Sequence, residues 1–319
     1  MNKNLIDIVK YRNIWIGISL LVLIPGLIGI LMCIIKFHAP LRPGIDFTGG
    51  SILQYEFTKP TTPDKVLAVL DSCNFTGSQV QQAYIANHEV MVIRTKAIDT
   101  EAQKHNLDEA FQSQIGSFQV ISEDKVSGVI GPELLLNGLI ALAITFAMMV
   151  AYISWRFQVD YAVCAIIALF HDVLALCGIF AILGVVASVE VDSLFISAAL
   201  TVIGFSVHDT IVVFDRIREN AKLVGRKMLD PISGKEVKKT FGDVANDSVN
   251  QTLTRSIYTS LTVVITLTVL YFLGGITMRN FVLAMLIGII SGTYSSIFNA
   301  SCLLVWWREL KVKKKTVMA

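Results

Sequence analysis

The sequence predicts a membrane protein, an all-α six-helix transmembrane bundle carrying one α+β ferredoxin-like (βαββαβ) domain between spans 1 and 2. Three observations predict it. Of 319 residues, 54% are hydrophobic and only 16% charged, with a mean hydropathy of +0.62, whereas a soluble domain carries about a quarter charged residues. Six stretches reach the roughly 20 apolar residues needed to cross a bilayer. One polar segment between the first two of them is long enough for a small domain. This composition argues against a disordered chain, a disulfide scaffold and an ordinary cytosolic enzyme.

The spans are expected at residues 14–35, 134–153, 161–185, 194–214, 256–273 and 281–307. The first follows Lys3, Lys10 and Arg12. At about 22 residues it is long for the apolar region of a cleaved leader, and no small-x-small cleavage site follows, so it reads as an uncleaved signal anchor. Six spans put both termini on one side. Basic residues assign that side, because Lys and Arg concentrate in cytoplasmic connections. Lys3, Lys10 and Arg12 precede the first span and Arg156 lies between the second and third. Between the fourth and fifth lie Arg216, Arg218, Lys222, Arg226, Lys227, Lys235, Lys238 and Lys239, and Arg308, Lys311, Lys313, Lys314 and Lys315 follow the sixth. The opposite connections are nearly free of them, Ala187–Ser193 having none and the last only Arg279.

The expected organisation is therefore residues 1–37 as cytoplasmic N-terminus and first span, 38–131 as a periplasmic α+β domain, 132–307 as spans 2–6 with a cytoplasmic loop at 215–255, and 308–319 as a basic cytoplasmic tail. That tail reads as a topology signal and a contact for anionic lipid rather than for nucleic acid. The net charge of +2 gives no support to nucleic-acid binding.

Within the domain, Ser51–Phe57 alternates as a strand and Pro63–Cys73 has helical spacing. Ser78–Ala86 and Glu89–Thr95 read as two strands joined at Asn87-His88. Asp99–Ile115 reads as an amphipathic helix and Phe118–Val126 as a last strand. The order β-α-β-β-α-β is the split βαβ pattern.

Ionisable residues inside spans are costly and mark function by default. His171-Asp172 lies near the middle of the third span, His208-Asp209 lies in the fourth, and Arg255 stands at the start of the fifth. A rise of 1.5 Å per residue puts Asp209 about 9 Å and Asp172 about 18 Å from the cytoplasmic boundary, and lets the Arg255 guanidinium reach the depth of Asp209. A buried carboxyl beside a movable Arg is a proton switch, since burial raises its pKa and the Arg lowers it. His171 and His208 are candidate relays or hydrogen-bond partners. The alternative is that all these groups only tie helices together. Small residues recur in the same spans, among them Ser206, Gly288, Ser291, Gly292 and Ser295, and read as packing contacts.

After the first span comes Gly44-Ile-Asp46-Phe47-Thr48-Gly49-Gly50. It reads as a structural hinge, with Asp46 and Thr48 bonding local amides. A phosphate loop is the rival, but no Lys-Ser/Thr follows and no helix is expected to start there. The five cysteines Cys33, Cys73, Cys164, Cys177 and Cys302 have no metal-ligand spacing, and no cofactor is expected.

The glycine-rich motif, Asn137-Gly-Leu, His171-Asp-Val, the run from Val202 to Asn220 and Asn250-Gln-Thr-Leu-Thr-Arg255 together resemble the SecF family, the smaller membrane subunits of the SecDF complex of bacterial protein export, related to resistance-nodulation-division transporters. The resemblance implies a subunit of the Sec translocon accessory complex that uses the proton motive force in the bacterial inner membrane, and not an enzyme. It implies Asp209 and Arg255 in the proton pathway, completed by a carboxylate of the partner SecD. It further implies an outer domain acting on emerging polypeptide after SecYEG and SecA, with YidC and YajC as further candidate partners. Six spans are half of a twelve-span transporter.

Three features depart from the family pattern: His208 where Asn is usual, the stretch Val126–Pro132 before the second span, and an apparent insertion at Leu229–Lys239. The rival readings are a half-transporter of the resistance-nodulation-division type exporting a lipid or small molecule, and a passive scaffold recruiting an insertase. Neither a paired-carboxylate protease motif nor a nucleophile triad is visible.

Overall fold

The computed structural model describes residues 6–85, 88–126, 130–229, 236–275 and 278–317. Six helices among them are long and apolar enough to span a membrane. They are α1 (Arg12–Phe37), α5 (Ile130–Arg156), α6 (Val159–Val186), α7 (Ser193–Asn220), α8 (Phe241–Leu273) and a last one built from α9 (Arg279–Tyr294), a π-helical segment Ser295–Ala300 and α10 (Ser301–Val317).

Three spans differ markedly from expectation, the last because its helix runs through α10 to Val317 rather than ending at 307 and so takes in most of the expected tail. The fifth begins at Phe241 rather than 256, because Thr240 and Asp243 form a reciprocal capping box that starts the helix in polar sequence. The fourth runs on past residue 214 to Asn220. The apparent insertion contains a short hairpin, β5 (Lys227–Leu229) with β6 (Glu236–Lys238); its tip, 230–235, lies outside the described residues, as do 86–87 of the expected strand turn and 127–129 of the variant stretch before the second span.

The soluble domain comprises β1 (Gly50–Phe57), α3 (Pro63–Ser72), β2 (Gln79–Ile85), β3 (His88–Thr95), α4 (Glu101–Gln114) and β4 (Phe118–Val126). Its sheet is antiparallel throughout, ordered β2-β3-β1-β4, the ferredoxin-like arrangement. Alternation along β1 sends Leu53 and Tyr55 inward, paired with Ile93 and Met91 of β3. The helices close the core over them with Val66, Leu70, Leu107 and Phe111, while Phe57, Phe111 and Phe118 surround the Tyr55 ring. Pro63 at the start of α3 and the Thr100–Gln103 capping box of α4 fix where the helices begin.

Backbones in the bundle touch where glycines allow it. At the α1–α6 crossing, a β-carbon on Gly178 would lie 2.7 Å from the Gly26 Cα. Where α7 meets α9, one on Gly288 would lie 2.2 Å from Val202 Cγ2, and one on Gly292 would lie 3.1 Å from Ser206 Cβ. These are the small-residue contacts expected of packed spans. The end of the bundle away from the domain is tied by ion pairs: Arg156 with Asp215 at 2.9 Å, Arg12 with Glu309 at 2.8 Å, and Arg308 with Asp160 at 2.8 Å. Arg308 also lies over the Phe241 ring at 4.2 Å. This tail residue, expected to face lipid, is thus a packing element.

Candidate functional site

Among the described residues, two carboxylates are buried in the bundle. Asp172 of α6 is fully enclosed and Asp209 of α7 nearly so. Depth counted from sequence put Asp172 deeper than Asp209, and both meet residues 291–295 of the last span. Asp172 Oδ2 accepts from Ser206 Oγ at 2.5 Å and Ser295 Oγ at 2.7 Å, and its Oδ1 is 3.4 Å from Ser291 Oγ and 3.0 Å from His171 Nδ1. Asp209 Oδ2 accepts from Thr293 Oγ1 at 3.3 Å, and Thr293 is bonded in turn to Ser260 of α8 at 2.6 Å. Residues 291 and 295 share one helix face, and residue 293 lies on the opposite side. The two carboxylates therefore bond to opposite sides of the sixth span, while Ser206 and Asp209 stand one turn apart on α7.

The serines read as packing residues have a second role, because Ser206, Ser291 and Ser295 provide Asp172 with its hydroxyl partners. The signal in the sequence was three serines on two helices facing an unpaired carboxylate. His171 joins this cluster through Nδ1. Its Nε2 lies 3.5 Å from Asn299 Nδ2, which donates to Ser19 Oγ of α1 at 2.6 Å.

The remaining candidates stand elsewhere. Arg255 is exposed on α8 and, among the described residues, has no carboxylate within pairing distance. Ser256 and Ser260 occupy the buried side of α8, and one residue of offset turns Arg255 about 100° away from it. His208 is likewise exposed, beside Asp209 but outside the helix contacts. Asp209 and Arg255 are thus not brought together within this chain.

The glycine-rich motif does start a helix, the single turn α2 (Ile45–Thr48). Gly49 and Gly50, at φ of 74° and 142°, turn the chain out of it into β1 with backbone angles that side-chained residues resist. Thr48 bonds locally to the Gly44 carbonyl at 3.1 Å, whereas Asp46 reaches across to the α6–α7 connection, accepting from Ser193 N at 3.0 Å and Ser193 Oγ at 2.5 Å. Phe47 shares one buried apolar cluster with Leu176, Phe180 and Phe195 of α6 and α7. Gly44 N donates to the Val191 carbonyl at 2.8 Å and Val191 N to that of Arg42 at 2.9 Å.

An ion triad missed in the sequence completes this joint. Glu190 lies 3.3 Å from Arg42 and 3.0 Å from Arg94 of β3. Burial pushes the Glu190 carboxyl above its usual range, an effect the two guanidinium groups only partly offset. The domain and the α6–α7 hairpin are therefore clasped by charge, backbone pairing and an aromatic plug.

Residues 106–310 match the family described as protein export membrane protein SecD/SecF, C-terminal, and residues 37–61 match the SecD/SecF GG motif. A protein translocase subunit SecF of Thermobaculum terrenum is 40% identical over 98% of both chains. The chain belongs to the SecF family. Its relative from Synechocystis, also a protein translocase subunit SecF, is 39% identical over 97% of this chain and 96% of its own. Among solved structures, SecDF from Thermus thermophilus, a translocon-associated membrane protein, superposes with a TM-score of 0.77 at 29% identity over 94% of this chain. SecDF in a super-membrane-facing form superposes with a TM-score of 0.65 at 28% identity over 97%. The chain spans 38% and 40% of those two SecDF chains. In SecF terms, the GG motif is the clasp on the α6–α7 hairpin, and the family's C-terminal region holds both buried carboxylates.

Proposed function

We propose that this SecF-family chain is the smaller half of a SecDF-type accessory unit of the Sec translocase, in which proton passage through the bundle drives the α+β domain as it acts on a polypeptide being exported. One observation carries the reading. The helices that hold the two buried carboxylates, α6 and α7, are joined by the connection that the domain grips through Arg42, Asp46, Phe47 and Arg94. A change of charge at Asp172 or Asp209 alters the contacts of α6, α7 and the last span, and any resulting shift of the hairpin reaches the domain directly.

Asp209 is the proton carrier in this reading. Arg255 and His208, exposed on the chain alone, face the place where a second six-span bundle completes the transporter. SecD supplies that bundle and the remaining carboxylate, and SecYEG with SecA supplies the polypeptide; YidC and YajC are further partners. The basic end of the bundle lies in the cytoplasm with both termini, and the domain lies in the periplasm of a bacterial inner membrane. Asp209→Asn is expected to abolish proton-dependent stimulation of export in membrane vesicles while leaving the SecD complex assembled. Full stimulation by that variant refutes the mechanism.

A further inference from the structure

Asp172 is the most enclosed charged group among the described residues, and no Lys or Arg pairs with it there. Two features of its surroundings suit both protonation states. The Ser295 hydroxyl, 2.7 Å from Asp172 Oδ2, is also 3.2 Å from the carbonyl of Gly292. When its hydrogen points to Asp172 it donates to the carboxylate, or to the carbonyl oxygen of an acid protonated on Oδ1; when the hydrogen turns to Gly292, its oxygen is free to accept a proton carried on Oδ2. On the other side, His171 Nδ1 lies 3.0 Å from Asp172 Oδ1.

The far ring nitrogen of His171 is served by Asn299, whose Oδ1 is buried without a partner. Rotating that amide brings Oδ1 to Nε2, so the same residue accepts from a ring that carries a proton there. Asn299 and Ser295 both belong to the π-helical segment, a widened turn often found where a helix serves a site.

We propose that Asp172, with His171 as donor and Ser295 and Asn299 as adjustable partners, is a proton-binding site separate from Asp209. It rests on the proton-driven reading above and adds a second station to it. The step balances simply: the Nδ1–H proton of a doubly protonated His171 passes to Asp172 Oδ1, leaving a neutral ring protonated on Nε2 and a neutral carboxylic acid. The groups facing this pair are Ser19 of α1, Ser206 of α7, Ser291 of α9, and Ser295 and Asn299 of the π-helical segment. None of these is charged, and Asp209 turns to Thr293 on the opposite side of the last span.

The test is infrared difference spectroscopy of the full chain with its partner in lipid vesicles, titrated from alkaline to acidic pH in the Asp209→Asn background. A protonated-carboxyl C=O band is expected on acidification. It should be lost in Asp209→Asn/Asp172→Asn and displaced in frequency in Asp209→Asn/Ser295→Ala. Identical spectra with and without Asp172 overturn the proposal. Should the Asp172 variant fail to fold, an unmoved band in the Ser295 variant overturns it equally. Export stimulation that survives Asp209→Asn, beside a band that depends on Asp172, refutes the driving role of Asp209 and leaves this site standing.

Discussion

Removing Glu190 tests whether the domain is held to the membrane bundle by charge. Its side chain is 12% exposed, with Arg42 at 9% and Arg94 at 20%. Glu190→Ala leaves two guanidinium groups near one another with their shared carboxylate gone. Breaking a buried pair in this way costs about 3–5 kcal/mol, and the partial exposure of Arg94 places the expected loss at the low end, about 3 kcal/mol. At about 1.4 kcal/mol per tenfold, the equilibrium between docked and undocked domain shifts roughly 100-fold. Two amides report it directly, Gly44 N and Val191 N, because each donates across the joint.

Hydrogen exchange at those amides should accelerate by about that factor in Glu190→Ala. Glu190→Gln also removes the charge but keeps a hydrogen-bond acceptor for the guanidinium groups, so it should cost about 1 kcal/mol less than Glu190→Ala. The pH dependence follows from the raised carboxyl. A carboxyl with a higher pKa folded than unfolded contributes stability that is complete below the unfolded value, about 4.3, and is lost as pH rises through the folded value. Docking should thus tighten in mild acid, and Glu190→Gln should flatten the dependence. Equal exchange rates in Glu190→Ala and the unaltered chain, or equal damage from Ala and Gln, would refute the reasoning.

Gly288→Ala places a β-carbon 2.2 Å from Val202 Cγ2 and should destabilise the bundle by about 1–3 kcal/mol; thermal unfolding in detergent measures this, and adding Val202→Ala should recover most of it. Thr240→Ala removes the capping box of α8 and should cost about 1 kcal/mol, seen as faster exchange confined to the first turns of that helix. The Tyr55 hydroxyl bonds to Asp108 at 3.1 Å and Glu123 at 3.2 Å, and its phenol is pushed above the ordinary range by burial and then by those carboxylates. Its contribution is complete below about pH 10 and lost above it. Alkaline melting of the domain should therefore be less steep in Tyr55→Phe.

The soluble domain was legible in the sequence because its signals are local. Alternation in Ser51–Phe57, a Thr-Thr-Pro start and a turn every ten residues or so each mark one element, and six elements in that order have few foldings. The spans were legible in number but not in length. Hydropathy reports where lipid is tolerated, whereas the helix of Phe241–Arg255 is set by a cap and by packing against the N-terminal segment, where Asn246 Oδ1 accepts from Ile8 N at 2.8 Å. Asp172 and Asp209 announced themselves by their cost in an apolar run. Their partners did not, because a hydroxyl in a span bonds either to its own preceding turn or to a distant group. Thr201, Thr259 and Thr266 do the first, Ser206 the second, and Ser295 is within reach of both. The Glu190 triad joins residues 42, 94 and 190, and separations that long leave no periodic trace.

The clasp on the α6–α7 connection turns each of those spans into a lever. Helix α7 has 28 residues, a rod about 42 Å long at 1.5 Å per residue. Pivoting it by about 5° at the end bearing the chain termini sweeps its other end through roughly 3.7 Å, more than a hydrogen bond of ordinary length tolerates before it breaks. A small tilt in lipid therefore leaves the domain two outcomes: it swings with the rod, or it lets go.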